Sequence, residues 1–154
     1  MIGRNRILGP VAMDPVTDGE SLYIGGQDQS IWAFASNGAL RWRHRTSSPL
    51  SAQIAVRSGV VYCSVPGEGL LAMNAADGAV TWKAAGVSGS VIAFRNGRLL
   101  VRTASGIDML DPANGSVVNS VPLPGISMLV PEAMDDGVIY AVSTRGTVAK
   151  LLPR

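Results

Sequence analysis

The side chains best suited to chemistry lie together in the segment LRWRHRT, residues 40–46. Arg41, Arg43 and Arg45, which we call the arginine strip, alternate there with Trp42 and with His44, the only histidine of the chain. Guanidinium groups bind phosphate and carboxylate through paired hydrogen bonds, and an aromatic ring beside them can stack on a base. This spacing is typical of a segment that binds phosphate or nucleic acid.

The composition argues against a nucleic-acid partner and leaves few groups for catalysis. The formal net charge is only +2 over 154 residues, unlike the concentrated basic patch of a nucleic-acid-binding domain. Cys63 is the single cysteine, which excludes an intrachain disulfide, and its apolar neighbours predict a buried thiol. His44 has no Ser or Cys partner at a recognisable spacing, and Asp28 lacks the spaced oxygen ligands of a calcium loop. We therefore predict no catalytic, metal-binding or cofactor-binding residue.

The elements that carry the arginine strip repeat along the chain. A glycine turn followed by a short apolar run recurs with spacings of 40, 38 and 40 residues, at Gly19, Gly59, Gly97 and Gly137. A second glycine turn follows the apolar run in three of these repeats, at Gly38, Gly78 and Gly115. Two markers that share one period establish four repeats of about 39 residues.

Each repeat has the pattern of antiparallel strands. Apolar bursts of four to six residues alternate with turns rich in Gly, Asn, Asp and Pro, and no long stretch shows helical periodicity. Four strands in a repeat of this length are the signature of a β-propeller blade. We predict an all-β propeller of four four-stranded antiparallel blades, at residues 9–46, 50–85, 88–122 and 126–152, which form part or half of a seven- or eight-bladed ring.

The repeat gives the tryptophan of the arginine strip a structural interpretation. Trp42 aligns with Trp82, and each lies four residues after its turn glycine, Gly38 or Gly78. Alternation along a strand predicts that both tryptophans face a neighbouring blade and are buried, whereas the three arginines share the opposite face and meet solvent. The arginines do not recur in the second repeat, so binding of an anion or a partner stays open beside a protective role at a sheet edge.

The segment LAMNAADGAVTWK, residues 71–83, resembles the tryptophan-docking motif of pyrroloquinoline-quinone-like (PQQ-like) β-propeller repeats. That motif runs Ala-x-Asp-x-x-x-Gly-x-x-x-Trp. It is matched here at Ala72, Gly78 and Trp82, with Asn74 at the place of the aspartate. The resemblance covers nearly the whole chain and implies the propeller fold.

The other repeats depart from this motif in two ways. The first repeat has a form shorter by one residue that ends at Trp42. The third keeps Gly115 but has Asn119 in place of the tryptophan, so we expect weaker docking of the blade that follows.

The resemblance leaves the function open between three classes. Some PQQ-like propellers are quinoprotein dehydrogenases that hold PQQ and calcium. Others have no cofactor and bind proteins, such as the scaffold lipoprotein of the outer-membrane β-barrel assembly machinery, or act as sensor domains of bacterial receptor kinases. The chain has no adjacent cysteine pair, and we predict a non-catalytic, protein-binding scaffold with no cofactor. A ligand-sensing propeller and a fragment of a PQQ-dependent dehydrogenase are the alternatives.

The resemblance also implies a bacterial protein of the periplasm or cell envelope, although the sequence shows no signal peptide. No apolar run is long enough to span a membrane. We expect binding at connections between strands, in the loops 25–30, 66–69 and 123–127.

The strand count predicts how the ring is completed. The fourth repeat contains three strands, and residues 2–8 have the place that an outer strand would take. We expect either that one chain closes on itself or that two chains pair head to tail, each completing the other.

Overall fold

The computed structural model describes residues 6–7, 9–11 and 13–152. Within those residues the chain forms fifteen strands and no helix. The strands lie in four separate sheets, and in each sheet strands that are neighbours in sequence are also neighbours in space. Short turns between apolar bursts favour this order, because a two- to five-residue connection can join only adjacent antiparallel strands. The predicted all-β fold of antiparallel sheets is confirmed.

The first and second sheets have four strands each. The strands of the first are β1 (Val16–Thr17), β2 (Ser21–Gly26), β3 (Ser30–Ala35) and β4 (Leu40–Arg45). Those of the second are β5 (Ala55–Arg57), β6 (Val60–Val65), β7 (Gly69–Asn74) and β8 (Val80–Ala84).

The third sheet again has four strands, whereas the fourth has three. The strands of the third are β9 (Gly89–Arg95), β10 (Arg98–Thr103), β11 (Gly106–Leu110) and β12 (Val117–Pro122). Those of the fourth are β13 (Ile126–Pro131), β14 (Ile139–Ser143) and β15 (Val148–Leu151). The predicted outer strand at residues 2–8 lies outside the described residues except for residues 6 and 7, which are not in a strand.

The turn between the third and fourth strands of a sheet explains the second glycine marker. The Gly78 N–H donates to the Asn74 carbonyl, and the Gly115 N–H donates to the Asp111 carbonyl, both at 2.8 Å. The two glycines have φ values of +75° and +73°, in the left-handed region that glycine adopts without a steric cost. Gly38 ends the shorter turn of the first sheet at φ +82°.

A row of three side chains crosses each of the first two sheets. In the first sheet, Tyr23 pairs with Ala33, which pairs with Trp42, and the two aromatic rings lie 6.0 Å apart. The second sheet repeats this row, again with 6.0 Å between the rings, in Tyr62, Ala72 and Trp82. Both alanines are fully buried, so a larger side chain between the rings would have no room.

The described contacts divide the chain into two compact units, Met1–Ser90 and Val91–Arg154. The core of the first unit lies between its two sheets and includes Tyr23, Trp42, Val61 and Met73. The core of the second unit includes five buried residues, Ile92, Ala93, Leu100, Ile107 and Ile139.

Candidate functional site

Trp42 joins the first sheet to the second. Its side chain is only 8% exposed, and its indole N–H donates to the Ala75 carbonyl at 2.9 Å. The ring lies so close to Gly78 that a Cβ at that position would be 2.7 Å from two ring atoms. The tryptophan therefore docks on the turn glycine of the next sheet, which has no side chain to keep it away.

Trp82 is half-buried, whereas the sequence predicts that both tryptophans are buried. It packs against Tyr62 at an angle of 48° between the rings. Its strand, β8, is the outer strand of the second sheet, and the neighbouring Thr81 and Lys83 are exposed. Trp42 lies on the equivalent outer strand β4, but it packs on the Gly78 turn of the second sheet and keeps less contact with solvent.

The three arginines do not share one face, and the prediction that they do is wrong. Leu40 pairs with Phe34, and Trp42 pairs with the preceding residue of β3, so Arg41 is the extra residue of a β-bulge. Arg41 lines a cleft that also contains Tyr23, on the side that faces the second sheet. Arg43 lies instead over Trp32, and Arg45 is exposed.

The sequence predicts that Arg43 points into solvent. In the structure its side chain instead contacts three neighbouring side chains. Its guanidinium carbon lies 4.4 Å from the centre of the Trp32 ring. Its terminal nitrogen is 3.3 Å from the Asp28 carboxylate, and its Nε–H donates to the Ser30 hydroxyl at 3.0 Å. Asp28 also accepts a hydrogen bond from the Trp32 indole N–H at 3.3 Å. Trp32 lies directly across the hairpin from Arg43, but the bulge shifts the register by one residue, so counting residues back from the Gly38 turn would not have identified this pair.

The cleft beside Arg41 has a polar lining. It has a volume of about 180 Å³, and its lining includes Asp18, Glu20, Tyr23 and Arg41. Burial raises the pKa of Tyr23, and its hydrogen bond to Asp18 adds to this shift. Burial alone would raise the pKa of Asp18, but hydrogen bonds from the Ser21 N–H, the Tyr23 hydroxyl and the Glu20 N–H outweigh it, and the pKa lies below its usual value. Two acidic side chains in the cleft weaken the case for an anion there.

The loop 66–69 uses its acidic side chain to hold neighbouring strands. The Glu68 carboxylate accepts hydrogen bonds from the Ser47 hydroxyl at 2.6 Å and the Ser47 N–H at 2.8 Å, and it lies 3.1 Å from the Lys83 ammonium group. The hydrogen bonds from Ser47 and then from Lys83 lower the pKa of Glu68 to about 2. Glu68 thus ties the connection after β4 to the outer strand β8.

The loop 123–127 exposes less apolar surface than the sequence predicts. Leu123 is half-buried and packs against the core of the second unit. The Leu123 N–H donates to the Ser105 carbonyl at 3.1 Å, and the Thr144 N–H donates to the Gly125 carbonyl at 2.8 Å. In the loop 25–30, Asp28 is engaged with Arg43 and Trp32 as described above. The contacts in these loops are of the kind that fix strand connections.

Cys63 has the environment of a core residue. Its side chain is buried, its sulfur lies 3.8 Å from that of Met73, and burial raises the pKa of the thiol to about 12. The thiol is therefore protonated at neutral pH and is a poor nucleophile. No group of three or more His, Cys, Asp or Glu side chains in the described part of the chain could hold a metal ion. The described residues also form no helix with the length and hydropathy needed to cross a membrane.

In the second unit, main-chain hydrogen bonds join the sheets where the docking tryptophan is replaced by Asn119. The Phe94 N–H donates to the Met134 carbonyl at 2.6 Å, and the Asp136 N–H donates to the Phe94 carbonyl at 3.0 Å. The Arg95 guanidinium group also donates to the Gly137 carbonyl. Phe94 and Arg95 lie on β9, far in sequence from Asn119, the residue from which the sequence predicts weak docking.

Exposed hydrophobic side chains are concentrated towards the end of the chain. Among the large hydrophobic residues that are exposed in the described structure, seven of eleven fall within residues 117–152. No charged residue lies between Asp111 and Glu132, and this uncharged segment contains the outer strand β12, all of whose residues except Val121 are exposed. By contrast, the outer strands β4 and β8 carry the arginine strip and Lys83.

Comparison with known proteins decides the family. The family model described as outer membrane protein assembly factor BamB matches residues 4–151, nearly the full length of the chain. The chain belongs to the BamB family. The predicted resemblance to PQQ-like propeller repeats is thereby confirmed. A search of curated protein sequences finds no significant match.

Solved structures show that the sheets are propeller blades. BamB from Moraxella catarrhalis is 22% identical, with a TM-score of 0.72, over 93% of this chain and 47% of that chain. The WD40 repeats of RRP9 are 15% identical, with a TM-score of 0.74, over 96% and 52%. The computationally designed Ika4 protein is 14% identical, with a TM-score of 0.75, over 99% and 96%. The chain thus spans about half the length of the BamB and RRP9 chains and nearly all of Ika4.

Proposed function

We propose that this member of the BamB family is a non-catalytic propeller module that works by binding other proteins. The description of the family as an assembly factor supports this class of function. It also supports a place in the bacterial cell envelope, where partners would be components of outer-membrane assembly.

The observation that carries the proposal is the uncharged segment between Asp111 and Glu132. On its outer strand, Val117 is 48% exposed and the adjacent Val118 is also exposed. Large exposed hydrophobic side chains with few charges around them are typical of the central part of a protein interface. Charged residues normally protect outer strands from unwanted pairing, and β12 has none.

Three acidic side chains support the same conclusion, because they are engaged in contacts within the fold. Asp28 pairs with Arg43, Glu68 with Ser47 and Lys83, and Asp111 with Arg98 at 3.0 Å. A quinoprotein site would need oxygen ligands for calcium and basic groups for the quinone carboxylates. The described residues hold no cluster of acidic, His or Cys side chains that fits such a metal.

A ligand sensor is the second candidate function, and the cleft beside Arg41 favours it. A small carboxylate or phosphate could approach the Arg41 guanidinium group, but Asp18 and Glu20 line the same cleft and oppose an anion. The exposed uncharged surface therefore supports protein binding better than the cleft supports sensing.

Two matched variants test the binding of a protein partner. Val117 and Val80 hold the same place in their sheets, each just before the extra residue of a bulge, and their exposed fractions are 48% and 43%. Immobilised wild-type chain and the Val80→Asp variant should retain the same protein from an envelope extract, and Val117→Asp should lose it. Equal retention by the two variants would contradict the proposed surface, and no retention by the wild type would contradict protein binding.

The enzymatic alternative is tested on the same preparation. We expect the absorbance spectrum of PQQ with calcium to stay unchanged when the chain is added, and dye-linked alcohol oxidation to stay at background. A bound quinone spectrum together with oxidation would overturn the non-catalytic proposal.

A further inference from the structure

The fourth sheet has an apolar face that is exposed. Strand register places five apolar side chains on it, Met128, Val130, Tyr140, Val142 and Val148, and we call this the terminal face. Met128 is 57% exposed, Val130 43% and Val148 64%. The opposite face of the same sheet carries the buried Ile139 and Ala141. The fourth sheet therefore has one face in the core of the second unit and one that is apolar but uncovered.

The terminal face is built like the faces that dock sheets together elsewhere in the chain. Tyr140 aligns in the repeat with Tyr23 and Tyr62, which are both buried, whereas Tyr140 is half-buried. Tyr23 belongs to the core cluster that joins the first sheet to the second. Tyr23 packs there against the second sheet, and the repeat predicts the same kind of contact for Tyr140.

The chain also has a surface of the kind on which such a face packs. Tyr23 and Trp42 of the first sheet pack in one core cluster with Val61, Cys63 and Met73 of the second sheet. The residues that align with these three in the first sheet are Leu22, Ile24 and Phe34. They line a largely apolar groove of about 310 Å³ together with Ile7, and Leu22 is 38% exposed.

We propose that the terminal face of one copy of this chain packs into the Leu22 groove of a second copy. Two copies related by a two-fold axis would make this junction twice, because each copy supplies one face of each kind. The repeat indicates that the groove binds a second copy of the chain. Its apolar lining corresponds to the surface of the second sheet on which Tyr23 and Trp42 pack within one chain. Lys150 lies opposite Tyr140 on the edge strand β15, where its long side chain can keep the ammonium group in solvent. This inference deepens the proposed protein-binding function by naming one partner.

Light scattering on the purified chain tests the pairing. Twice the chain mass of 16.0 kDa, about 32 kDa, is expected for the wild type and for Val80→Asp, and 16.0 kDa is expected for Val148→Asp. Val80 and Val148 are both exposed, so neither aspartate should prevent folding, which far-ultraviolet circular dichroism checks. A wild-type mass of 16.0 kDa at every concentration, or equal masses for the two variants, would overturn the proposal.

Mixing two variants tests which faces meet. Val148→Asp damages the terminal face and Leu22→Asp damages the groove, but a mixed pair retains one intact junction. A tagged Val148→Asp chain should therefore co-purify an untagged Leu22→Asp chain better than it co-purifies an untagged copy of itself. Equal recovery would contradict the head-to-tail arrangement. Retention of an envelope protein by a chain that stays monomeric would leave the proposed function standing without this inference.

Discussion

Trp42 and Gly78 form a contact in the first unit that depends strictly on residue type. Truncation of Trp42 to alanine removes a buried ring and leaves the Ala75 carbonyl without its indole donor. We expect Trp42→Ala to lower the free energy of unfolding by about 3–5 kcal/mol, measured by urea denaturation. Arg45→Ala, at an exposed position of the same strand, is the control and should change it by less than about 0.5 kcal/mol. Similar losses in the two variants would show that Trp42 does not hold the sheets together.

Gly78→Ala should act largely through Trp42. An added Cβ would lie 2.7 Å from the indole ring at a φ of +75°, so we expect a loss of about 1–3 kcal/mol from the close contact, with backbone strain in addition. In the Trp42→Ala background the steric part of this loss should disappear, and the same denaturation measurement gives the difference. An unchanged cost in that background would mean that the glycine is needed only for its backbone conformation.

Arg43 has a larger role in stability than a solvent-facing arginine would have. Arg43→Ala removes the guanidinium group from the Trp32 ring and leaves Asp28, whose side chain is only 8% exposed, without its cation. We expect a loss of about 1–2 kcal/mol in urea denaturation, whereas Arg41→Ala should be nearly neutral. Equal effects of the two variants would contradict the assignment of separate environments to these arginines.

The sequence predicts the residues of the Trp42 junction better than those around Arg43. The tryptophan and the turn glycine each recur with the repeat, which identifies both as structural positions, whereas the packing of Trp42 on Gly78 comes from the structure. The separation of Arg41 from Arg43 depends on a β-bulge that adds one residue to β4, and simple alternation along a strand does not include a bulge. The contact between Asp28 and Arg43 depends on the register of a hairpin and has no repeated counterpart to indicate it.

At the level of strands and turns, Glu68 gives the second sheet a dependence on pH. The hydrogen bonds from Ser47 and Lys83 lower the pKa of Glu68 from 4.5 to about 2. The charged carboxylate therefore stabilises the fold above about pH 4.5, and this stabilisation is lost as the pH falls from about 4.5 to about 2. We expect the free energy of unfolding of the wild type to fall more steeply over that range than that of Glu68→Gln. Parallel curves for the two proteins would contradict a role for the charge.

The junction in the second unit contains contacts that the tryptophan-docking motif does not indicate. Asn119 replaces the tryptophan and predicts weak docking, yet hydrogen bonds from Phe94 and Arg95 connect β9 to the segment before β14. Main-chain hydrogen bonds of this kind depend on how close two backbones lie, and side-chain identity does not reveal it. The strands and turns of this unit follow from the sequence, whereas the contacts between its sheets do not.

For the whole molecule, the repeat predicts the all-β fold, because two glycine markers with one period require regularly spaced turns, and the tryptophan-docking motif at residues 71–83 predicts the family. It does not predict which surface binds, since exposed hydrophobic residues depend on strand register and on the face that each sheet presents. The number of blades in a complete ring and the strand at residues 2–8 stay predictions. The proposed function depends on the uncharged surface of β12.

Photo-crosslinking in cells tests that surface most directly. Leu40, Val80 and Val117 hold the same place on β4, β8 and β12, with exposed fractions of 49%, 43% and 48%. A benzophenone amino acid is placed at each position in turn, and adducts with other proteins are separated by mass after illumination. Adducts should form from position 117 and be absent from positions 40 and 80. Equal yields from all three positions, or adducts from position 40 alone, would contradict the proposed surface, and the latter result would indicate the arginine strip instead.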